Sequence, residues 1–326
     1  MTGDIMCTAM TYKTKDSYFG RNLDLEYSYN ETVTITPRNY KLNFRVKDGV
    51  KSHYAMIGMA YVKDEYPLYY DGVNEMGVSM AGLNFPSKAH YNEFETGKDN
   101  VAPFEFIPFV LGRAKNIDDV KKMLFNTNIV NVNFSDELSA SPLHWMIADK
   151  KSSIVVESVK DGLKVYDNQY GVLTNNPTFD IQLFNLNNYM HLSTGDGDNT
   201  FLEGLEHYSR GMGAIGLPGD WSSQSRFIKA AFVRKNSVSS DGEGESVNQF
   251  FHMLSSVEMP RGCVKVGADD EITRYSCCIN ADKGIYYYKT YENGQINAVC
   301  MHNENLEEKR LISYPLVKKM KINMQN

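Results

Sequence analysis

Apolar and polar positions alternate with period two through the opening stretch of the chain, where β-branched and aromatic residues are also common. "CTAMTYKT" and "SYFGRNLDL" read as strands joined by a hairpin turn at Lys15-Asp16. "TVTITP", "HYAMIGMAYV" and "GVSMAGLNF" continue the pattern, with "DGVNEMG" as a turn. The period then changes to that of a helix in "APFEFIPFVLGRAK" and "NIDDVKKMLFNTNIV", where Asn116 suits the N-cap and Asp118 and Asp119 the first turn. Strands return in "LHWMIADKKSSIVVESVKDGLKVYDN", a meander turning at Asp149-Lys150-Lys151 and Lys160-Asp161-Gly162. Helical patterns follow in "FDIQLFNLNNYMHL", "SSQSRFIKAAFVRKN" and "SVNQFFHMLSSV", and strands such as "GIYYYKTYENGQINAVCMH" close the chain.

This order fits an α+β fold of two sheets packed face to face with helices outside better than a strictly alternating parallel βαβ fold. "STGDGDNTFLEG" and "SSDGEGES" read as long flexible loops, and neither has the character of an interdomain linker. A single domain is expected.

With 42% hydrophobic and 23% charged residues, the 326-residue chain has the composition of an ordinary globular protein. A formal net charge of -6 and the lack of a dense Lys/Arg run argue against a nucleic-acid partner. No apolar run approaches the roughly 20 residues that cross a bilayer, and "MTGDIM" is too short and too acidic for a signal peptide, so no membrane partner and a cytoplasmic location are expected. The cysteines are Cys7, Cys263, Cys277, Cys278 and Cys300, an odd set without disulfide-framework spacing that reads as reduced thiols. Without a C-x-x-C pair or an H-x-x-x-H pattern, no metal is expected. Adjacent Cys277 and Cys278, on an alternating stretch, should place one thiol inward and one outward in a packing role.

Several catalytic patterns can be tested against their context. "GMGAIG", Gly211 to Gly216, matches G-x-G-x-x-G but lacks the preceding strand, the immediate helix and the ribose-binding acid of a dinucleotide site. There is no G-x-S-x-G elbow, and the histidines of "SHYAM", "PLHWM" and "FFHML" sit in apolar surroundings that suit buried, hydrogen-bonded side chains. Nothing links a particular histidine to Cys7, so as a nucleophile Cys7 needs another base. An N-terminal nucleophile supplies its own, because an α-amine of pKa about 7.7 to 8.0 lies beside a thiol of pKa about 8.5. A peptide nitrogen has no such basicity, which makes Met6 decisive.

Arg21 and Asp24 of "GRNLD" lie in a hydrophobic strand-like stretch where charges need partners. Arg21 could favour a Cys7 thiolate and Asp24 could hold the α-ammonium, although a structural Arg-Asp pair accounts for them equally well. Positions three apart on a regular strand face opposite sides, so both reach one site only if the strand ends or bulges near Leu23. "AGLNFP" and "LTNNPTF" place Asn84 and Asn175 in turn-ending settings that suit oxyanion donors or, equally, ordinary turns. "PGDWSSQSRFIKAAF" starts a helix capped by Asp220 or Ser222. Arg226 falls in its first turns, where the helix dipole disfavours a cation, and so answers to a carboxylate or a site.

Taken together and in order, "MCTAMTY", "FGRNLD", "AGLNFP", "GVLTNNPTF" and "SRF" resemble the choloylglycine hydrolase family of bile salt hydrolases and penicillin V acylases. "PLYYDGVNEMGVSMAGLNFP" and "NVNFSDELSASPLHWM" resemble its bile salt hydrolase branch from Gram-positive gut bacteria. The resemblance implies an N-terminal nucleophile hydrolase with an αββα four-layer sandwich of two antiparallel sheets. It places the nucleophile on Cys7, the paired arginine on Arg21, the amine-orienting aspartate on Asp24, the oxyanion asparagine on Asn84, and further site residues on Asn175 and Arg226.

The implied reaction is attack by Cys7 on the amide joining a bile acid to glycine or taurine, with Asn84 and the backbone N–H of Asn175 facing the oxyanion. A thioester intermediate then passes to water or, as a secondary activity, to an amine. No cofactor is implied. Leu23, Phe134, Leu138 and Leu143 are the implied substrate-binding residues, each also readable as core. Lys63 and Tyr70 of "AYVKDEYPLYYDG" occupy positions that can be apolar or small in relatives. A penicillin V or acyl-homoserine lactone acylase, and a non-catalytic small-molecule-binding protein with an unprocessed N-terminus, are the alternatives. The resemblance also implies a homotetramer. Residues 1–6 are expected to be absent from the mature enzyme, either as an upstream extension with translation starting at Met6, the simpler route, or as a propeptide. Residues 7–326 then form the catalytic domain.

Overall fold

A computed structural model describes residues 6–46 and 52–326; residues 1–5 of the expected extension lie outside the described residues. The opening hairpin forms as its alternation dictates, with β1 (Cys7–Lys13) antiparallel to β2 (Ser17–Leu25). Next come β3 (Thr32–Thr36), β4 (Met56–Lys63), β5 (Tyr66–Tyr69), β6 (Asp71–Asn74) and β7 (Ser79–Asn84). One sheet runs in the order Val172–Leu173, β1, β2, Ile272–Asn280, Ile285–Thr290, Asn297–Cys300. The other runs Gly162–Asp167, Ser153–Val159, Leu143–Ala148, β7, β6, β4, β3, Ile312–Pro315, with β5 attached to β4.

The helices are α1 (Phe106–Leu111), α2 (Ile117–Asn126), α3 (Phe179–Asn185), α4 (Ser223–Asn236) and α5 (Glu243–Ser255). Asn116 caps α2 by accepting from the Asp119 N–H at 2.9 Å, and Ser222 rather than Asp220 caps α4. Two cores follow from the layering. One joins the facing sides of the sheets to Phe227 and Ile228 of α4 and Val247 and Phe250 of α5, and the other lies between the second sheet and α1 and α2, around Trp145 and Phe106. Each large apolar side chain buried there contributes roughly 1.5–3 kcal/mol. The result is the four-layer sandwich the sequence implies.

Some expectations are corrected. Asp71–Asn74, read as part of a turn, is strand β6, because the stretch pairs on both sides with β4 and β7; the turn is confined to Glu75–Gly77. Cys277 and Cys278 are both buried, since their strand is covered by helices on one face and by the second sheet on the other. "GEGES" is not loop but the first turn of α5. His53 and His144 are buried and hydrogen-bonded, whereas His252 sits on the exposed side of α5.

Candidate active site

Cys7 is the first residue of β1 and is buried, paired in register with Leu23. Its nitrogen is an amide here, and it donates to Asn175 Oδ1 at 2.8 Å. Met6 continues the ladder: its carbonyl accepts from the Asp24 N–H at 3.0 Å and its own N–H donates to Glu271 Oε1 at 2.6 Å. Arg21, two residues along the ladder from Leu23, sends Nη2 to Cys7 Sγ, while Nη1 donates to the carbonyls of Gly82 (2.6 Å) and Tyr70 (3.1 Å). Burial pushes the Cys7 thiol above its ordinary value, and the Arg21 guanidinium works against that shift by favouring the thiolate.

Asp24 reaches the same site because the ladder is irregular opposite it. Asp24 pairs with Thr273 and Leu23 with Tyr275, so Arg274 is an extra residue in the neighbouring strand. The required bulge therefore exists, on the partner strand rather than on β2. Burial raises the Asp24 carboxyl to about 6, against the pull of Arg226 and a Thr273 Oγ1 donor at 2.5 Å. Asp24 Oδ2 is buried and has no hydrogen-bond partner among the described residues. Glu271 is likewise raised to about 7, first by burial.

From its place in the first turn of α4, Arg226 donates to the Cys7 carbonyl (2.5 Å), Thr8 Oγ1 (2.7 Å) and Asn175 Oδ1 (2.8 Å). Asn175 in turn donates from Nδ2 to the Asn84 carbonyl at 2.7 Å. Its backbone N–H, expected to face the oxyanion, instead donates to Ser223 Oγ at 2.9 Å. The side chain of Asn175, rather than its backbone N–H, is thus aimed at Cys7.

Cys7, Arg21 and Asn84 line a cavity of about 160 Å³. A single water needs only about 10–15 Å³ by the same kind of measure, so the space admits a group of many carbons. Leu23, Phe134, Leu138 and Leu143 all line it, together with Leu25, Tyr29, Tyr61, Leu68 and Phe104. Tyr70 is also on the wall, and Lys63 ties β4 to the opposite loop through Glu137 at 2.7 Å. Among the described residues no group of three or more His, Cys, Asp or Glu side chains could hold a metal ion. The arrangement offers a cation-paired thiol, amide groups beside it and an apolar slot leading to it.

The model of linear amide C–N hydrolases, choloylglycine hydrolase family, matches residues 7–314. The chain belongs to this family. It is 55% identical to a bile salt hydrolase/transferase of Lactiplantibacillus plantarum over 314 residues, covering 95% of this chain and 97% of the relative. It is 41% identical to a bile salt hydrolase/transferase of Clostridium perfringens, covering 98% of this chain and all of that one. A solved variant of the conjugated bile acid hydrolase from Clostridium perfringens superposes with a TM-score of 0.92 at 41% identity, over 98% of this chain and 100% of that chain.

Within this choloylglycine hydrolase fold, the other five polar residues expected from the sequence gather around Cys7, and the four apolar ones line one cavity. Reading the sequence missed Glu271, Ser223 and the cavity wall formed by Tyr29, Tyr61 and Phe104. Glu271 carried one faint signal, an acid abutting the buried strand that begins at Ile272. Ser223 looked like an ordinary residue of a helix's first turn.

Proposed function

We propose that the chain, freed of residues 1–6, hydrolyses the amide of glycine- or taurine-conjugated bile acids, the class named in its relatives. The observation that carries this is the buried, arginine-paired Cys7 in the lining of a cavity whose walls are mostly apolar. Such a slot suits a rigid apolar acyl group whose amide must lie at the thiol.

In this reading the liberated α-amine of Cys7 takes the thiol proton and Arg21 favours the thiolate. Asp24, whose Oδ2 has no hydrogen-bond partner among the described residues, pairs with the new ammonium. Sulfur attacks the amide carbonyl, the Asn84 amide faces the oxyanion while Asn175 Nδ2 holds the Asn84 carbonyl, and Arg226 fixes Asn175 and the Cys7 carbonyl. The ammonium protonates the departing amine. Water, activated by the same α-amine, then cleaves the thioester, and an amine in its place gives acyl transfer.

A homotetramer is part of this proposal. Its support is the exposed apolar set Phe184, Met190, Phe201, Leu202, Leu205 and Tyr208 on one excursion of the chain. The cytoplasmic placement rests on the five free thiols.

The test joins intact mass to product analysis. Protein beginning at Cys7 should release glycine or taurine from conjugated bile acids. Release only from penicillin V or acyl-homoserine lactones transfers the reading to those amides, and a stable chain retaining Met6 without hydrolysis supports a binding protein.

A further inference from the structure

We propose that His144, which lies outside the cavity, is a positioning residue for this hydrolysis: it holds the two asparagine-bearing turns beside Cys7 in a fixed relation. The inference rests on the reading of Asn84, whose carbonyl Asn175 holds, as the residue that faces the oxyanion.

His144 lies in the strand Leu143–Ala148 and is fully buried. Along that strand Trp145 and Ile147 pack toward α1 and α2, while Met146 and Ala148 pack between the sheets, so His144 belongs to the intersheet face. Its neighbour across the ladder is Leu83, one residue before Asn84. The imidazole stacks on the Phe85 ring, the residue after Asn84, with centroids 4.2 Å apart and planes 7° from parallel. Nε2 lies 2.8 Å from the Thr174 carbonyl, the residue before Asn175. A carbonyl only accepts, so Nε2 donates.

On the other edge of the ring, Nδ1 lies 3.1 Å from Glu157 Oε1, and that oxygen accepts from the Phe179 N–H at 3.0 Å, at the start of α3. One side chain thus ties the end of β7 to the Thr174-Asn175 turn and, through Glu157, to the helix that follows. The Asn175 Nδ2 bond to the Asn84 carbonyl joins the two turns at the site, and His144 joins them from behind.

A leucine would fill this space without polar atoms to satisfy. What the imidazole adds is direction, and direction is what a preorganised oxyanion site needs, since a displacement of about 1 Å can cost about 100-fold in rate.

The test uses processed enzyme and a glycine-conjugated bile acid. His144→Gln places an amide donor near the position of Nε2 and keeps the bond to Thr174. His144→Asn places one near Nδ1 and loses it. His144→Asn should lower kcat about 10- to 100-fold with KM within about twofold, and His144→Gln should recover most of that loss. Equal kcat in the two variants, unchanged kcat in His144→Asn, or a loss expressed in KM overturns the proposal.

Asn84→Ala and Asn175→Ala, measured in parallel, separate the two levels. If both keep wild-type kcat, the oxyanion reading fails; if they lose it while His144→Asn does not, only the role of His144 fails. Should His144→Asn not fold, Phe85→Leu removes the stacked ring alone and is expected to lower kcat about 3- to 10-fold; wild-type kcat there overturns the proposal.

Discussion

Cys7 and Cys277 are both fully enclosed thiols in the same sheet, on strands separated only by β2, and burial raises both above the ordinary thiol value. Their partners differ. Cys7 has the Arg21 guanidinium at its sulfur and Arg226 on its carbonyl. Cys277 sits near the Asp71 carboxylate, which pushes it up further and which itself accepts from Tyr275 at 2.6 Å and Tyr286 at 2.7 Å. Burial is therefore common to both cysteines, and the sign of the strongest neighbouring charge, with a position at the start of the strand, separates them.

The largest expected effect tests that contrast directly. Cys7→Ser in processed enzyme should lose at least about 10³-fold in kcat, whereas Cys277→Ala should keep kcat within about twofold and lose about 1–2 kcal/mol of stability. Steady-state kinetics and denaturant melts on the two proteins decide it, and a kinetic loss in Cys277→Ala would erase the distinction. Next, Asp24→Asn should lower kcat about 10- to 100-fold by leaving the α-ammonium without its carboxylate. A wild-type pH–rate profile in that variant would show that Asp24 is only a structural partner of Thr273.

A third effect concerns the unprocessed chain. The folded-state carboxyls of Asp24 and Glu271 stand at about 6 and about 7, both raised. Stability from their protonation is fully present below about pH 4, where the unfolded groups titrate, and is lost as pH rises through 6 and 7. Glu271→Gln should narrow the difference in melting temperature between pH 5 and pH 8 by about 2–4 °C in calorimetry. An unchanged difference would place the coupling elsewhere. The smallest effect belongs to the slot: Leu138→Ala should raise KM about 3- to 10-fold for bile acid conjugates with little change in kcat.

Much of the site was legible because its residues break local rules. Charges at Arg21 and Asp24 in a buried strand and a cation at the N-terminal end of α4 each required an explanation that only a partner elsewhere could supply. The layered fold followed from the periodicities. What stayed hidden depended on distance in sequence: the bulge at Arg274, Glu271 beneath Met6, and the redirected N–H of Asn175 exist only once remote segments meet. The Cys277-Cys278 pair misled because alternation predicts which face a side chain takes, not whether that face is covered.

The topology has a consequence for synthesis. β2 lies against the strand Ile272–Asn280, and Asp24 finds Thr273 across 249 residues of chain. At about 5–20 residues per second, the opening hairpin waits roughly 12–50 s on the ribosome before that neighbour is made. The thiol and its arginine are thus translated well before the strand that flanks β2, so a product truncated ahead of Ile272 carries Cys7 and Arg21 without that neighbour.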